Sequence, residues 1–472
     1  MIEQDTLEVT GQMSKSKIKV LVWLPFPPRT KWRGEGIAQT IENIISHGTG
    51  LIEYHILCNK QIYPTVHEIF EKSPNNDSIK VKKIGLSWPN FLNKRKNKIF
   101  TLSDIEKQRF PQELITGKKN VVTRFFWACG LFLQILLLKI SGGFSKYNLL
   151  WLPSPLTLFA GMLDSKKVVI SFWDPFVFEY SGFSSIAHFL FYFIAKYLLK
   201  AKKIITQSRA NESYLTKVLG IDKSKIKIIR NGAPTYTKYL PTLKQQASDE
   251  EILHDIMSKS EQHELNDLIM HYINLSTLFR LLNKKKQNTK IIIVSTQYRP
   301  YKGFETLFLL LDNILKKYSD QYDFQFIFTT ANIPQHLKSK YPWSEEKIHA
   351  ITQTSEYFHA SLYYLSNLAL HPSNAEGGLG SYPQYEAASL NVPCLNHEGR
   401  HMDELAAYFE KDISPIISDF SKIEETGIKI VKLLKDDDKK IENIALINET
   451  RVSWENTSLE YEKIFLETAN AR

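Results

Sequence analysis

The stretch Leu370–Leu395, LHPSNAEGGLGSYPQYEAASLNVPCL, decides how the rest of the chain is read. It opens in a short apolar strand, Leu368–His371, and passes through Pro372 and Ser373 into a glycine-rich loop. A helix is expected from about Tyr382, then a second strand begun by Val392 and Pro393. Glu376 and Glu386 bracket the loop and the helix start. Such a loop receives anions, because unpaired backbone N–H groups and the helix dipole both point at the incoming charge. Gly377, Gly378 and Leu379 are the expected backbone donors.

A second loop of the same kind lies upstream. After a strand ending near Ser295 comes TQYRPYKG, Thr296–Gly303, and then a helix. Arg299 and Lys302 share this strand-to-helix loop, at the sheet edge where ligands arrive. Lysine supplies a point charge and arginine a planar fork for phosphate oxygens. One loop offers cations and the other backbone amides, and a diphosphate needs both. Displacing a diphosphate from a sugar carbon builds negative charge on phosphate, which Arg299, Lys302 and the amides would meet. Glu376 would orient hydroxyls beside the cationic ring, and Glu386 would accept from ribose hydroxyls.

Working outward, short apolar runs alternate with helical patterns. Strands are expected at Ile18–Leu24, Ile52–Cys58, Ile79–Ile84, Asn148–Leu152, Val168–Phe172, Lys203–Thr206 and Ile226–Ile229. A further set is expected at Lys290–Val294, Phe324–Thr329, Ile348–Thr352, Leu368–His371 and Val392–Asn396. This alternation means parallel sheets with helices on both faces. The fold class is therefore α/β, with two Rossmann-like, doubly wound domains facing across a cleft, their ligands beyond the C-terminal strand ends.

Residues 1–17 read as a disordered tail, 18–234 as the first domain and 290–453 as the second. Residues 235–289 are polar and helical in pattern, an insertion or linker. A last helix from Val452 to about Thr468 is expected to pack back on the first domain, within a closing segment 454–472.

The net charge of +10 conceals an asymmetry: residues 1–234 carry 34 Lys/Arg against 17 Asp/Glu, and the remainder 26 against 33. A basic half joined to an acidic half suggests different partners, an anionic membrane surface or an acidic substrate for the first. No nucleic-acid motif accompanies the charge. Cys58, Cys129 and Cys394 are scattered, which excludes a disulfide framework and suggests a reducing compartment. No secretory signal is visible. The longest apolar run, Phe125–Leu138, has 14 residues. As a helix it reaches ~21 Å, short of the ~30 Å hydrocarbon core, which suits a buried core helix or one that dips into a membrane face without spanning it. Phe189–Leu199 is a second, aromatic-rich run followed by lysines. Neither a D-x-D pair nor a histidine cluster lies near the loops, so no metal site is expected.

With these residues in place, the second half resembles the nucleotide-sugar domain of retaining glycosyltransferases of family 4, which have the GT-B fold. The family pattern PS-x-x-EG-x-G followed by a second Glu and Ala stands here as Pro372-Ser373-Asn374-Ala375-Glu376-Gly377-Gly378-Leu379 through Glu386-Ala387. The resemblance implies that Glu376 is the donor-sugar glutamate, Glu386 the ribose glutamate, and RPYKG the phosphate loop. Glu404 matches a glutamate often found after the final strand, and Trp454 the aromatic opening the closing helix. In the first domain Gly34-Glu35-Gly36 resembles the acceptor-side glycine loop, and Asp174 stands where the family carries a His–Asp pair.

The resemblance implies transfer of a hexose from a GDP- or UDP-linked sugar to a glycan or lipid-linked acceptor. The setting it implies is surface polysaccharide or glycolipid biosynthesis, peripheral on the cytoplasmic membrane face, with no cofactor beyond the co-substrate. Three departures stand out. Nine residues, not seven, separate Glu376 from Glu386; Gln297 replaces an arginine; and Trp173 replaces the histidine before Asp174. Tryptophan accepts no proton. The departures leave room for a second reading, a catalytically silent GT-B partner subunit or membrane scaffold.

Overall fold

The computed structural model describes residues 17–24, 36–60, 62–84, 140, 143–153, 165–173, 198–246, 248–259, 265–330, 333–352 and 354–471. The apolar runs Phe125–Leu138 and, up to residue 197, Phe189–Leu199 lie outside them, as do Gly34, Glu35 and Asp174.

Two parallel sheets organise the chain. The first holds β1 (Ile18–Trp23), β2 (Ile52–Asn59), β3 (Ile79–Ile84), β4 (Leu149–Leu152), β5 (Val168–Phe172), β6 (Lys203–Thr206) and β7 (Ile226–Ile228) in the order β3-β2-β1-β4-β5-β6-β7. The second holds β8 (Thr289–Val294), β9 (Asp323–Phe328), β10 (Ile348–Ala350), β11 (Leu368–His371), β12 (Cys394–His397) and β13 (Ile417–Ser418) in the order β10-β9-β8-β11-β12-β13. Strands such as β5 and β11 are buried along their whole length, because helices cover both faces. Each sheet reverses its winding at one point, between β1 and β4 and between β8 and β11. Loops leaving two such neighbouring strands part to opposite faces and leave a crevice at the C-terminal edge.

Helices α1 (Gly36–Ser46), α2 (Tyr63–Glu71) and α3 (Arg209–Lys217) flank the first sheet. Residues 235–289 form α4 (Leu240–Gln245), α5 (Asp249–Ser258) and α6 (Leu265–Asn283). These are not a detached linker. Leu243, Ile252, Ile256, Leu275, Leu278 and Leu281 share one core with Ile291, Ile293 and Ile327 of the second sheet.

The second domain continues through α7 (Phe304–Tyr318), α8 (Gln335–Lys340), α9 (Ser344–Lys347), α10 (Glu356–Tyr364) and α11 (Tyr382–Ser389). Then come α12 (Arg400–Phe409), α13 (Ile423–Lys435) and α14 (Asp437–Glu449). Sequence reading assigns nothing between Asn396 and Val452; the chain places β13 and these three helices there. It also puts the start of β12 too early. Asn391 takes a left-handed φ of 61°, and the Val392 amide turns back to Ala387 O, so pairing begins only at Cys394.

Helix α15 (Trp454–Asn470) returns to the first domain. Tyr461 and Phe465 pack on Trp151 of β4, and Ser458 Oγ donates to Ile44 O of α1 at 2.5 Å. Trp454 covers Gly232, where any Cβ would enter the indole ring. Among the described residues no helix is long and apolar enough to cross a membrane.

Candidate functional site

The site grows from the switch point of the second sheet. β8 and β11 are neighbours in register, Leu368 beside Ile292, so the loops that follow them lie side by side. After β8 the chain makes a short 3-10 turn, Pro300–Lys302, and enters α7 through Gly303 at φ 63°. A Cβ on Gly303 would collide with the Pro372 carbonyl oxygen, so this residue must be glycine for both backbone and space. The Asn374 amide donates to Tyr301 O at 3.2 Å, which ties the two loops together.

That packing brings Lys302 to Glu376. The Lys302 ammonium donates to Glu376 Oε1, and His371 Nε2 reaches the same oxygen at 2.8 Å. Burial works to raise the Glu376 carboxyl, but the Lys302 charge and the His371 hydrogen bond outweigh it and hold the group well below the usual carboxylate range. An ionised carboxylate only accepts, so His371 carries its proton on Nε2. His371 ends β11 and is 2% exposed, and its Nδ1 has no partner among the described residues. His401, on α12, lies behind it with ring centroids 6.4 Å apart. Burial pushes His401 down to about 3, so it is neutral.

The glycine loop reaches the first domain. Asn211 Nδ2, on α3, donates both to Gly377 O at 3.0 Å and to Trp173 O at 2.9 Å. A Cβ on Gly378 would stand 2.9 Å from Gln207 Oε1. Gly380 takes φ 68° and donates its amide to His401 O. The turn it makes delivers Ser381 as the N-cap of α11 and sends Tyr382 across, where its hydroxyl meets Thr40 Oγ1 and Asn231 Nδ2, each at 3.0 Å. The first turn of α11 has no acidic residue and no side-chain cap, which leaves its N-terminus to an anion.

Other expected residues sit differently. Arg299 is exposed, and its guanidinium donates to Tyr301 Oη at 2.9 Å; it does not join Lys302 at Glu376. Leu379 is partly buried against the second domain's core. Gly36 opens α1, and none of the described residues lies within 4 Å of where a Cβ would stand on it. Glu404 does not face the loop: its carboxylate accepts from the Arg209 and Ala210 amides, at 2.6 and 3.3 Å, and so caps α3 of the first domain. Arg230 stacks over Tyr408 beside it, 3.5 Å from the ring centroid.

Glu386 is buried, with both oxygens taken. Tyr236 Oη donates to Oε1 at 3.2 Å and Tyr363 Oη to Oε2 at 2.8 Å. Tyr236 Oη also meets His359 Nδ1 at 2.9 Å, and His359 Nε2 meets Ser295 Oγ at 3.0 Å. Tyr236 gives its one proton to Glu386, so His359 Nδ1 donates to Tyr236 Oη. Ser295 leaves β8 at the crevice edge.

Sequence reading missed His371, His401, Gln207, Asn211, Ser295, Tyr236, His359 and Tyr363. Only the last two carried a local signal, an i, i+4 pair on one helix. Among the described residues no three His, Cys, Asp or Glu side chains converge on a metal position.

No protein-family model matches the chain, and no curated protein does. Solved structures do. The chain is similar to HepE of Anabaena in complex with UDP and glucose, with a TM-score of 0.58 and 12% identity over 95% of this chain and 100% of that one. It is similar to a glycosyltransferase of Rickettsia africae, with a TM-score of 0.55 and 12% identity over 97% and 100%. It is also similar to the α,α-trehalose 6-phosphate synthase of Burkholderia multivorans, with a TM-score of 0.54 and 10% identity over 97% and 100%. At such identities the likeness shows the fold, and the fold is GT-B.

Proposed function

We propose that this chain is a retaining glycosyltransferase of the family 4 type. It would move a hexose from a nucleotide-diphosphate sugar to a glycan or lipid-linked acceptor. One observation carries the reading: Lys302 pairs with the ionised Glu376 at the second sheet's switch point, in the loop that leads into the uncapped start of α11. The diphosphate takes Lys302 and the loop amides, whose positive charge stabilises the leaving group. Glu376, being ionised, accepts hydrogen bonds from sugar hydroxyls and favours the cationic ring; it cannot act as a general acid. Trp173 offers no base, so the leaving phosphate itself takes the acceptor proton, on the same face. HepE, bound to UDP and glucose, supports a UDP-linked donor over a GDP-linked one. The basic first half supports an acceptor at an anionic, cytoplasmic membrane face, in polysaccharide or glycolipid synthesis.

The test is a thermal-shift panel of UDP-, GDP- and ADP-sugars, followed by donor hydrolysis. Stabilisation by one nucleotide class with release of sugar is expected. The tyrosine hydroxyls on Glu386 favour a second reading, a silent GT-B partner subunit or scaffold. A flat panel would select that reading.

A further inference from the structure

The Lys302–Glu376 pair raises a physical difficulty for any donor. Lys302 is the cation a diphosphate would claim, yet it also orients Glu376. A diphosphate carries more charge than one carboxylate and sits at a helix N-terminus, so it draws the ammonium toward itself. Glu376 then loses one of the two donors on Oε1, as the sugar arrives and its direction begins to matter.

The second donor does not move. His371 is the last residue of β11, paired in register with Asn396 of β12 and almost wholly buried. That burial leaves its imidazole little room to swing away from Oε1. Oε2 of Glu376 takes no hydrogen bond from the described residues, and the side chain is 23% exposed, so this oxygen is the one left for a sugar hydroxyl. His401 closes the space behind the imidazole and, being neutral, does not compete for the carboxylate.

We propose that His371 is the positioning residue that keeps Glu376 aimed at the sugar once Lys302 has turned to the diphosphate. The inference rests on the glycosyltransferase reading. It divides the labour on one oxygen: Lys302 serves binding, His371 serves orientation. His371 touches neither substrate nor phosphate.

The experiment compares His371→Leu, which removes the donor, with His371→Gln, whose amide N–H reaches about as far as Nε2–H. Both are measured with the full chain for UDP affinity by calorimetry, and for kcat and KM in hydrolysis of UDP-glucose, GDP-mannose and ADP-glucose. With His371→Leu, kcat falls about 100-fold, as for a reacting group displaced by about 1 Å. UDP affinity and KM stay within about 3-fold, and His371→Gln restores kcat to within about 5-fold of wild type. Should His371→Leu fold poorly, His371→Asn is the comparison, since its amide is too short to reach Glu376 and it should lose kcat where His371→Gln keeps it. Unchanged kcat in His371→Leu, equal losses in kcat and UDP affinity, or no rescue by glutamine in a folded protein would each overturn the proposal. If the wild-type chain binds no UDP and hydrolyses none of the three donors, the functional reading falls first and this inference with it.

Discussion

The two walls of the crevice are built alike and furnished differently. On the second wall, the loops after β8 and β11 hold charge: Lys302 against Glu376, with His371 on the same oxygen. On the first wall, the residues after β5 and β6 that meet them are neutral, namely Trp173, Gln207 and Asn211. Charge on one side and hydrogen-bonding amides on the other is what a transfer site needs when the leaving group is an anion and the acceptor a neutral hydroxyl. Buried charge is stable only when paired. The second wall therefore depends on tight loop packing, while the first needs only satisfied amides.

The largest effect should come from the charged wall. Glu376→Ala is expected to reduce donor turnover about 1,000-fold and to lower the melting temperature, because it leaves the Lys302 ammonium without its carboxylate. Full activity in that variant would remove Glu376, and with it the contrast, from the mechanism. Gly303→Ala comes next. Its left-handed backbone and its contact with Pro372 O predict a loss of about 2–3 kcal/mol in urea unfolding, together with weakened UDP binding. Retained stability would mean the two loops are not packed as described.

The neutral wall should respond less. Asn211→Leu leaves two carbonyls unpaired and should cost about 1–2 kcal/mol, with a loss of activity below about 10-fold. A larger kinetic loss would make Asn211 part of the chemistry rather than of the domain contact.

The smallest effect concerns a glutamate outside the site. Glu462 on α15 accepts from the Thr49 amide and hydroxyl without a cation, and burial raises its carboxyl above the usual 4.5 despite those bonds. A raised folded-state value means the folded chain binds the extra proton. Its contribution is therefore full below about 4.5 and is lost as pH rises through the raised value. Glu376 has the opposite sign: its contribution is present above 4.5 and lost as pH falls through its lowered value. Glu462→Gln should flatten the decline in stability above about pH 4.5. An unaltered pH profile would deny the burial of that carboxyl.

Much of the architecture was legible along the chain. Continuous apolar runs such as IIIV in β8 and VVI in β5 mark strands buried on both faces, and glycine and proline mark the turns between them. Within residues 397–451, α14 buries only Asn443 and Ile447, too few positions for a helical stripe, whereas α12 and α13 bury Met402 and Leu405, and Ile430, Val431, Leu433 and Leu434, a stripe that sequence reading passed over. The two glycine loops announced themselves because anion binding by a helix start is a local property of backbone and dipole.

The partners of the charged groups did not. Arg299 and Lys302 stand three residues apart with similar chemistry, yet one lies outward on Tyr301 and the other enters the site. Glu376 and Glu386 share a motif, yet one is held by a lysine and a histidine and the other by tyrosine hydroxyls. Glu404 follows the last expected strand, yet caps a helix of the other domain. Periodicity and turn chemistry act over a few residues and can be read in order. Pairing of polar groups is settled by which surfaces the switch points bring together, across separations such as the 166 residues between Asn211 and Gly377, and only the folded chain brings those surfaces together.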